Sequence, residues 1–311
     1  MSSIHTIRAI QDNIALVIKG KSHVIEMAVV CLLARGHLLL EDVPGVGKTT
    51  LAHSLARSLN CSFKRIQFTS DLLPSDIVGI SMFNRQKQGF EFIPGPIFAN
   101  VVLADEINRT TPRTQSSLLE AMNESQVSVD GATHPLPQPF IVLATQNPHE
   151  FEGTFPLPES QLDRFLMRIE IGYPSREDER RVFASQRLAN PLDTLEPVLD
   201  GGEVLAIQAA VRGVRVDDLI SDYVLDLVAR TREAPELEIG VSPRGGLALS
   251  RAAQALALVE GRDYVLPDDA KRLAVPVFAH RVIRKAALAA GRSGDERTII
   301  RRIVAATPVP V

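Results

Sequence analysis

Short apolar runs alternate with segments of helical periodicity through the first half of the chain. An apolar run that is followed by a helical pattern is typical of a strand buried on both faces, as in a parallel sheet. The helical segments, beginning with residues 4–18 and 22–33, would then cover the sheet. The pattern predicts an α/β fold with a central parallel sheet flanked by helices, and with strands at residues 37–40, 63–68, 101–106, 140–145 and 168–171.

Two further segments predict β-hairpins outside that sheet. Residues 80–93 have β-prone ends around a polar centre, and we expect the chain to turn at Gly89. The second hairpin is centred on Asp130-Gly131, because Asp-Gly between two short β-prone runs is a strong two-residue turn signal. Ahead of the first hairpin, residues 71–79 predict a short helix broken by Pro74.

Strand signals disappear in the second half. A capped helix is predicted from Ser175 to about residue 188, and residues 190–202 have the composition of a linker. We therefore expect an α/β domain at residues 1–188 and an all-helical domain at residues 189–311. The predicted helices of the second domain are residues 203–212, 217–232, 243–260, 268–280 and 295–304.

Composition restricts the function classes. The 311 residues suffice for one large or two ordinary domains, and 45% hydrophobic with 23% charged residues is typical of a globular protein. A net charge of −3 does not favour nucleic acid as a partner. Cys31 and Cys61 have no metal-site spacing and are expected to be reduced thiols. With no secretory signal and no apolar segment free of charges, we expect a soluble cytoplasmic protein without a membrane partner.

A phosphate-binding loop is the strongest chemical signal. The segment Glu41 to Thr50 follows a predicted strand and leads into a helix. Glycines at 45 and 47 let backbone N–H groups turn toward a phosphate chain, Lys48 can reach its terminal phosphates, and Thr49 can bind Mg²⁺. A simple turn is the weaker alternative, because a turn has no need of Lys-Thr. The usual motif has glycine where this chain has Asp42. The predicted nucleotide-binding residues are Pro44, Gly45, Val46, Gly47, Lys48, Thr49 and Thr50.

Polar side chains end two of the predicted strands. Asp105 and Glu106 follow an apolar run, and Gln146-Asn147 follow another. At the carboxyl edge of a parallel sheet, Asp105 can hold Mg²⁺ through water, Glu106 can polarise an attacking water, and an uncharged amide such as Asn147 can orient it. Acids that merely cap a helix, or an Asn that merely forms a turn, would give the same local pattern.

Two arginines complete the candidate site. Arg164 lies in a short predicted helix at residues 157–165; it is a core-edge residue, a salt-bridge partner, or a group directed at the nucleotide of a neighbouring subunit. Arg244 lies in the first turn of a helix that Ser242 and Pro243 begin. Because the helix dipole disfavours a cation there unless an anion compensates, Arg244 is expected to meet a phosphate.

Together these segments resemble AAA+ ATPases. The motifs Gly-Val-Gly-Lys-Thr, Leu-Ala-Asp-Glu-Ile-Asn-Arg, Ala-Thr-Gln-Asn-Pro, Gln-Leu-Asp-Arg-Phe and Val-Ser-Pro-Arg occur in the order found in that class. The MoxR family in particular is resembled by the amino-acid sequence of four segments, residues 95–98, 104–110, 114–122 and 155–165. The likeness spans about residues 17–280, so it is far more specific than any single motif.

The resemblance implies a role for each candidate residue. Lys48 and Thr49 would be Walker A, Asp105 and Glu106 Walker B, Asn147 sensor 1, Arg164 the arginine finger and Arg244 sensor 2. The hairpins would be the helix-2 insert and the pre-sensor-1 hairpin. An extra helix, for which residues 217–232 are the candidate, would direct sensor 2 toward the neighbour's nucleotide. In nucleotide-binding folds, the turn between two such helices often packs on adenine. Residues 17–20 are the candidate for that contact in this chain.

The resemblance also implies an activity and partners. It implies Mg²⁺-dependent ATP hydrolysis in a homo-oligomeric ring, usually a hexamer, and chaperone-like remodelling of client proteins with a partner that carries a von Willebrand factor A domain. Three alternatives stay open: the ATPase subunit of a metal chelatase, a DNA-acting AAA+ motor, and a non-enzymatic nucleotide-gated scaffold. The acidic balance disfavours the DNA motor, and the complete set of catalytic residues disfavours the scaffold.

Overall fold

The computed structural model describes residues 3–147, 153–186, 190–285 and 295–310. Strands and helices alternate in the first part, and helices dominate the second. In chain order the elements are α1 (Ser3–Ala15), α2 (Ser22–Leu33), β1 (Leu38–Glu41), α3 (Lys48–Ser58), β2 (Phe63–Gln67), α4 (Pro74–Val78), β3 (Gly79–Asn84), β4 (Gly89–Pro94), β5 (Val101–Asp105), a 3₁₀ turn (Ile107–Arg109), α5 (Pro112–Glu124), β6 (Gln126–Val129), β7 (Ala132–Pro135), β8 (Ile141–Gln146), α6 (Glu159–Leu162), β9 (Met167–Ile169), α7 (Arg176–Gln186), α8 (Gly201–Val211), α9 (Asp218–Glu233), β10 (Leu237–Ile239), α10 (Pro243–Val259), α11 (Pro267–Phe278), β11 (Ile283–Arg284) and α12 (Glu296–Ala306).

Five strands form the central sheet in the order β2-β5-β8-β1-β9, and every neighbouring pair is parallel. The predicted parallel sheet is therefore confirmed. All five strands end at the same edge, where the register pairs Gln67 with Asp105 and Glu41 with Gln146. The polar residues at the strand ends thus meet at one edge, as the sequence predicted.

Alternate residues of the strands face two different hydrophobic clusters. Leu38, Leu40 and Leu103 belong to one, while Leu39 and Val102 belong to the other. Such alternation follows from the two-residue repeat of a strand. The first cluster also contains apolar residues of α1, α2, α8, α9, α10, α11 and α12, so the helices of the second half pack onto the same side of the sheet as α1 and α2.

Local capping signals fixed several helix starts. Ser242 accepts a hydrogen bond from the backbone N–H of Gly245 at 3.2 Å, and Pro243 is the first residue of α10, as predicted. At α8, the Asp200 side chain accepts from the Glu203 N–H and the Glu203 side chain accepts from the Asp200 N–H, both at 2.9 Å.

The hairpin at Asp130-Gly131 is confirmed, and the turn of the other hairpin was predicted at the wrong residue. Asp130 and Gly131 have φ of 50° and 79° and join β6 to β7. In the β3–β4 hairpin, Gly89 instead pairs with Asn84 at the start of β4, and Gln88 takes the positive φ of 47°. The Asn84 side chain supports this turn by accepting from the N–H groups of residues 86 and 87.

Two other expectations were wrong in detail. Pro74 begins α4 instead of breaking a helix, since a proline lacks only an N–H that the first turn leaves unpaired. The predominantly helical second half also contains a short antiparallel ribbon, in which Leu237 pairs with Arg284 and Ile239 with Ile283. Strands this short carry too little pattern to be seen in the sequence.

The predicted domain division stays a prediction, because residues 187–189 lie outside the described part of the chain. Residue 148, which follows Asn147, also lies outside that part. Helix α7 is described to Gln186. Within the described ranges, no helix is both long enough and apolar enough to cross a bilayer.

Candidate nucleotide site

The segment between β1 and α3 forms a phosphate-sized loop at the carboxyl edge of the sheet. Gly45 and Gly47 have φ of 83° and 99°, a region that residues with a Cβ rarely adopt. A Cβ on Gly45 would meet no atom within 4 Å, so backbone conformation, not space, requires glycine there. Gly47 is the N-cap of α3, and the N–H groups of a first helical turn, which have no acceptor within their own helix, suit an anion.

The structure brings the candidate residues of several elements into one cavity of about 350 Å³. The loop, the end of β5 and the residue after β8 all contribute to its wall. This arrangement places a lysine, a hydroxyl, two carboxylates and an amide around one space, as expected from the sequence. The cavity is lined by Pro44, Gly45, Gly47, Lys48, Thr49, Thr50, Arg65, Asp105, Glu106 and Asn147.

Both oxygens of the Asp105 carboxylate are engaged. Thr145 Oγ1 donates to Oδ1 at 2.6 Å, and Arg65 donates to Oδ2 from Nη2 at 2.6 Å and from Nε at 3.0 Å. Thr145 Oγ1 also accepts from the N–H of Glu106 at 2.8 Å. Arg65 and Thr145 therefore orient the two acids, and sequence reasoning assigned a role to neither. The alternation of β2 puts Arg65 and Gln67 on one face, but only the pairing of β2 with β5 directs that face at Asp105.

Glu106 has an unusual backbone conformation and a held side chain. Its φ and ψ are 58° and 50°, a left-handed conformation that costs a non-glycine residue about 1–3 kcal/mol and is concentrated at functional sites. Gln67 Nε2 donates to Glu106 Oε2 at 2.8 Å, and Arg109 Nε lies 3.2 Å from the same oxygen. The carboxylate is fixed beside the cavity instead of extending into solvent.

The donor set fits Mg²⁺. Thr49 offers a hydroxyl and Asp105 a carboxylate, both of them hard oxygen ligands. In the described ranges there is no group of three or more His, Cys, Asp and Glu residues that could hold a metal by themselves. A site with few protein ligands suits Mg²⁺, which completes its coordination with substrate phosphates and water.

A second cavity, of about 540 Å³, adjoins the other side of the loop. Gly45, Gly47 and Thr50 line both cavities. Val17 and Ile18 contribute apolar surface, and the contact of the 17–20 turn with adenine stays a prediction. The size and the mixed lining suit a nucleoside whose phosphates continue into the first cavity.

Asp42, the departure from the usual motif, has a structural role. Asp42 is buried, and its Oδ2 accepts hydrogen bonds from the backbone N–H groups of Ile171 and Gly172 at 2.7 and 2.6 Å. Its Oδ1 accepts a hydrogen bond from the N–H of Val43 at 2.8 Å. Its backbone carbonyl accepts from Lys48 Nζ at 2.5 Å. The carboxylate thus joins the start of the phosphate loop to the segment after β9.

Replacing Asp42 with glycine restores the usual motif, but we expect it to weaken ATP binding. The change removes three hydrogen bonds to a buried carboxylate, and a loss of about 1.4 kcal/mol would raise the Kd for ATP about tenfold. Titration of a fluorescent ATP analogue measures this. Asp42→Ala separates loss of the carboxylate from the added flexibility of glycine. Equal or tighter binding by Asp42→Gly would show that the carboxylate does not hold the loop.

Arg164 and Arg244 are not among the described residues that line the two cavities. Arg244 Nη2 donates to Asn123 Oδ1 at 2.8 Å, and its Nε lies 3.8 Å from Asp163 Oδ2. Arg164 is half-buried, and the described residues offer its guanidinium no hydrogen bond or ion pair. Arg244 therefore contacts Asp163, the residue that precedes Arg164 in the chain.

Comparisons with known proteins agree with this architecture. A family model described as "ATPase family associated with various cellular activities (AAA)" matches residues 37–167, and one described as "AAA lid domain" matches residues 229–303. The phosphate loop, the parallel sheet and the helical lid define an ATPase of the AAA class.

Three similar proteins indicate which family of the AAA class the chain resembles. "Uncharacterized protein YeaC" of Bacillus subtilis (strain 168) is 50% identical over 96% of this chain and 93% of its own length. "Chaperone MoxR1" of Mycobacterium tuberculosis is 41% identical over 91% of this chain and 77% of its own length. The crystal structure of a putative ATPase from Cytophaga hutchinsonii has a TM-score of 0.93 at 38% identity and covers 99% of this chain and 96% of its own. The chain belongs to the MoxR family of AAA+ ATPases, which confirms the resemblance found in its sequence.

Proposed function

We propose that the protein hydrolyses ATP with Mg²⁺ at the interfaces of a homo-oligomeric ring and uses the energy for chaperone-like remodelling of client proteins. One observation carries the proposal. The phosphate loop, both acids and Asn147 line a single cavity, whereas Arg164 and Arg244 are not among the described residues that line it. If Arg164 and Arg244 take part in the chemistry, as the family resemblance implies, a neighbouring subunit would have to supply them.

The residues of the cavity divide the chemistry among themselves. Lys48 and the N–H groups of the loop would bind the β- and γ-phosphates. Glu106 would orient the attacking water and accept its proton, and Asn147 would fix the water opposite the γ-phosphate. Thr49 and Asp105 would hold Mg²⁺, which would supply positive charge to neutralise the phosphates. Arg65 and Thr145 keep Asp105 oriented for that contact.

The position of the two arginines favours action in trans. Arg164 would stabilise the charge that develops on the γ-phosphate of the neighbour, and Arg244 would join it from the first turn of α10. A closed ring, usually a hexamer in this family, gives every site such a neighbour.

ATP hydrolysis should therefore depend on assembly. We expect turnover per subunit to fall steeply when the protein is diluted below the concentration at which rings form. Phosphate release and sedimentation measured on the same samples check this. Lys48→Ala, which removes the phosphate-binding ammonium, is expected to bind no ATP and gives the baseline. A solitary subunit that hydrolyses ATP at the same rate at every dilution would contradict the proposal.

An exposed aromatic hairpin supports the proposal that the client is a protein. In the β3–β4 hairpin, Phe83 and Phe90 pack edge to face at 5.5 Å, and Phe90 is 79% exposed. Phe92 stacks on His134 of the neighbouring β6–β7 hairpin at 3.8 Å, which links the two hairpins. Apolar surface of this kind commonly marks a protein-binding site.

The proposed partner carries a von Willebrand factor A domain, and the proposed location is the cytoplasm. Cys31 and Cys61 are free thiols, as suits a reducing compartment that supplies ATP. Purification with endogenous partners attached, followed by their identification, tests both the client and the partner. If the recovered partner were a chelatase subunit, the protein would be the ATPase subunit of a metal chelatase instead of a chaperone.

A further inference from the structure

Arg281, after helix α11 of the lid, is a buried arginine that the nucleotide site does not explain. Its side chain is 3% exposed. The carboxylate of Asp163 accepts from its Nε at 2.7 Å, while Val277 O and Leu166 O accept from Nη1. Burying a guanidinium so completely is costly unless its donors are satisfied, so this arrangement specifies one position for the chain around it.

Arg281 donates hydrogen bonds to residues that precede and follow Arg164 in the sequence. On one side, Asp163 accepts through Oδ1 at 2.7 Å and through its backbone oxygen at 3.2 Å. On the other side, Phe165 O accepts at 2.5 Å and Leu166 O at 3.1 Å. One guanidinium from the lid therefore holds the backbone that carries Arg164.

Other lid residues contact the same segment. Nε2 of the buried His280 lies 3.1 Å from Phe165 O, and Arg244 Nε lies 3.8 Å from the second oxygen of Asp163. Burial lowers the pKa of Arg281, whereas the hydrogen bond and the charge of Asp163 oppose that shift. The ends of α10 and α11 thus meet at Asp163, beside Arg164.

We propose that Arg281 is a positioning residue that couples the lid of each subunit to the Arg164 which that subunit presents to its neighbour. A lid that moves with the nucleotide of its own subunit would then advance or withdraw Arg164 at the next site. This inference rests on the proposed function, because it requires Arg164 to act across an interface.

The planar fork of arginine is essential to this role. A lysine keeps the charge but is a point donor that cannot hold acceptors on both sides of Arg164 at once. For Arg281→Lys we expect turnover to fall about tenfold, the rate equivalent of roughly 1.4 kcal/mol, with little change in the Kd for ATP. A residue that acted only through stability of the fold would not give that separation.

Subunit mixing is the decisive test. Lys48→Ala subunits bind no ATP but keep Arg281 and Arg164, so mixing them with Arg281→Lys subunits should raise turnover per Arg281→Lys subunit. Arg262→Lys is the matched control. Arg262 also lies in the lid and donates to both oxygens of Asp269, at 2.9 and 2.6 Å, but its described contacts do not include the 163–166 segment. We expect that variant to keep parental turnover.

Each outcome decides the inference. It is overturned by parental turnover in Arg281→Lys, or by no recovery in the mixture when Arg164→Ala does recover. If Arg164→Ala also fails to recover, the proposed action in trans fails, and the inference fails with it. Should Arg281→Lys not fold, Asp163→Asn removes the charge from the other partner of the pair and carries the same expectations.

Discussion

Glu106→Gln is expected to bind ATP nearly as well as the parent and to hydrolyse it at least about 100-fold more slowly, in line with the contribution of a positioned general base. Glutamine has almost the same shape, and its carbonyl oxygen can still accept from Gln67 Nε2, which donates to Glu106 at 2.8 Å. The amide cannot accept a proton from the attacking water. Single-turnover phosphate release and a nucleotide-binding titration on the same preparation measure the two effects separately.

A matched control removes a carboxylate elsewhere. Glu120 is exposed on α5, and Glu120→Gln should leave both the Kd and the turnover unchanged. If Glu106→Gln hydrolysed ATP at the parental rate, Glu106 would not be the base. Asp105→Asn offers a second comparison, because its main expected effect is that turnover requires a higher concentration of Mg²⁺.

Arg164→Ala should lower turnover by roughly 10³-fold or more, the usual contribution of an arginine finger. Its guanidinium has no hydrogen bond or ion pair among the described residues, so removing it should cost little stability. The Kd for ATP should stay near the parental value, because Arg164 is not among the described residues that line the cavity of its own subunit. Phosphate release and calorimetric titration check these expectations.

Mixing Arg164→Ala with Lys48→Ala tests the same residue across the interface. Each variant alone should be nearly inactive, whereas mixed rings contain intact phosphate loops that face intact arginines. Arg230→Ala, which removes an exposed arginine from α9, is the control and should keep full turnover. Absence of recovery in rings of normal size would assign Arg164 to its own subunit.

Much of the architecture was determined by local sequence signals. Apolar runs or alternating patterns located all five strands of the sheet, Asp130-Gly131 located a hairpin, and Ser242-Pro243 located the start of α10. The phosphate loop was equally clear, because its glycines and Lys48 must lie within a few residues of one another. Signals of this kind are carried by neighbours along the chain, so one sequence is enough to recognise them.

Residues that act through distant partners could be assigned only with the tertiary structure. Arg65 and Thr145 each meet Asp105 from a position 40 residues away, and their contact depends on the order of strands in the sheet. Arg281 reaches Asp163 across 118 residues, and Asp42 reaches Ile171 across 129. The sequence by itself therefore determined the elements and the nucleotide loop. Tertiary packing decided which side chains orient the acids and which hold Arg164, because those contacts join segments that no local pattern relates.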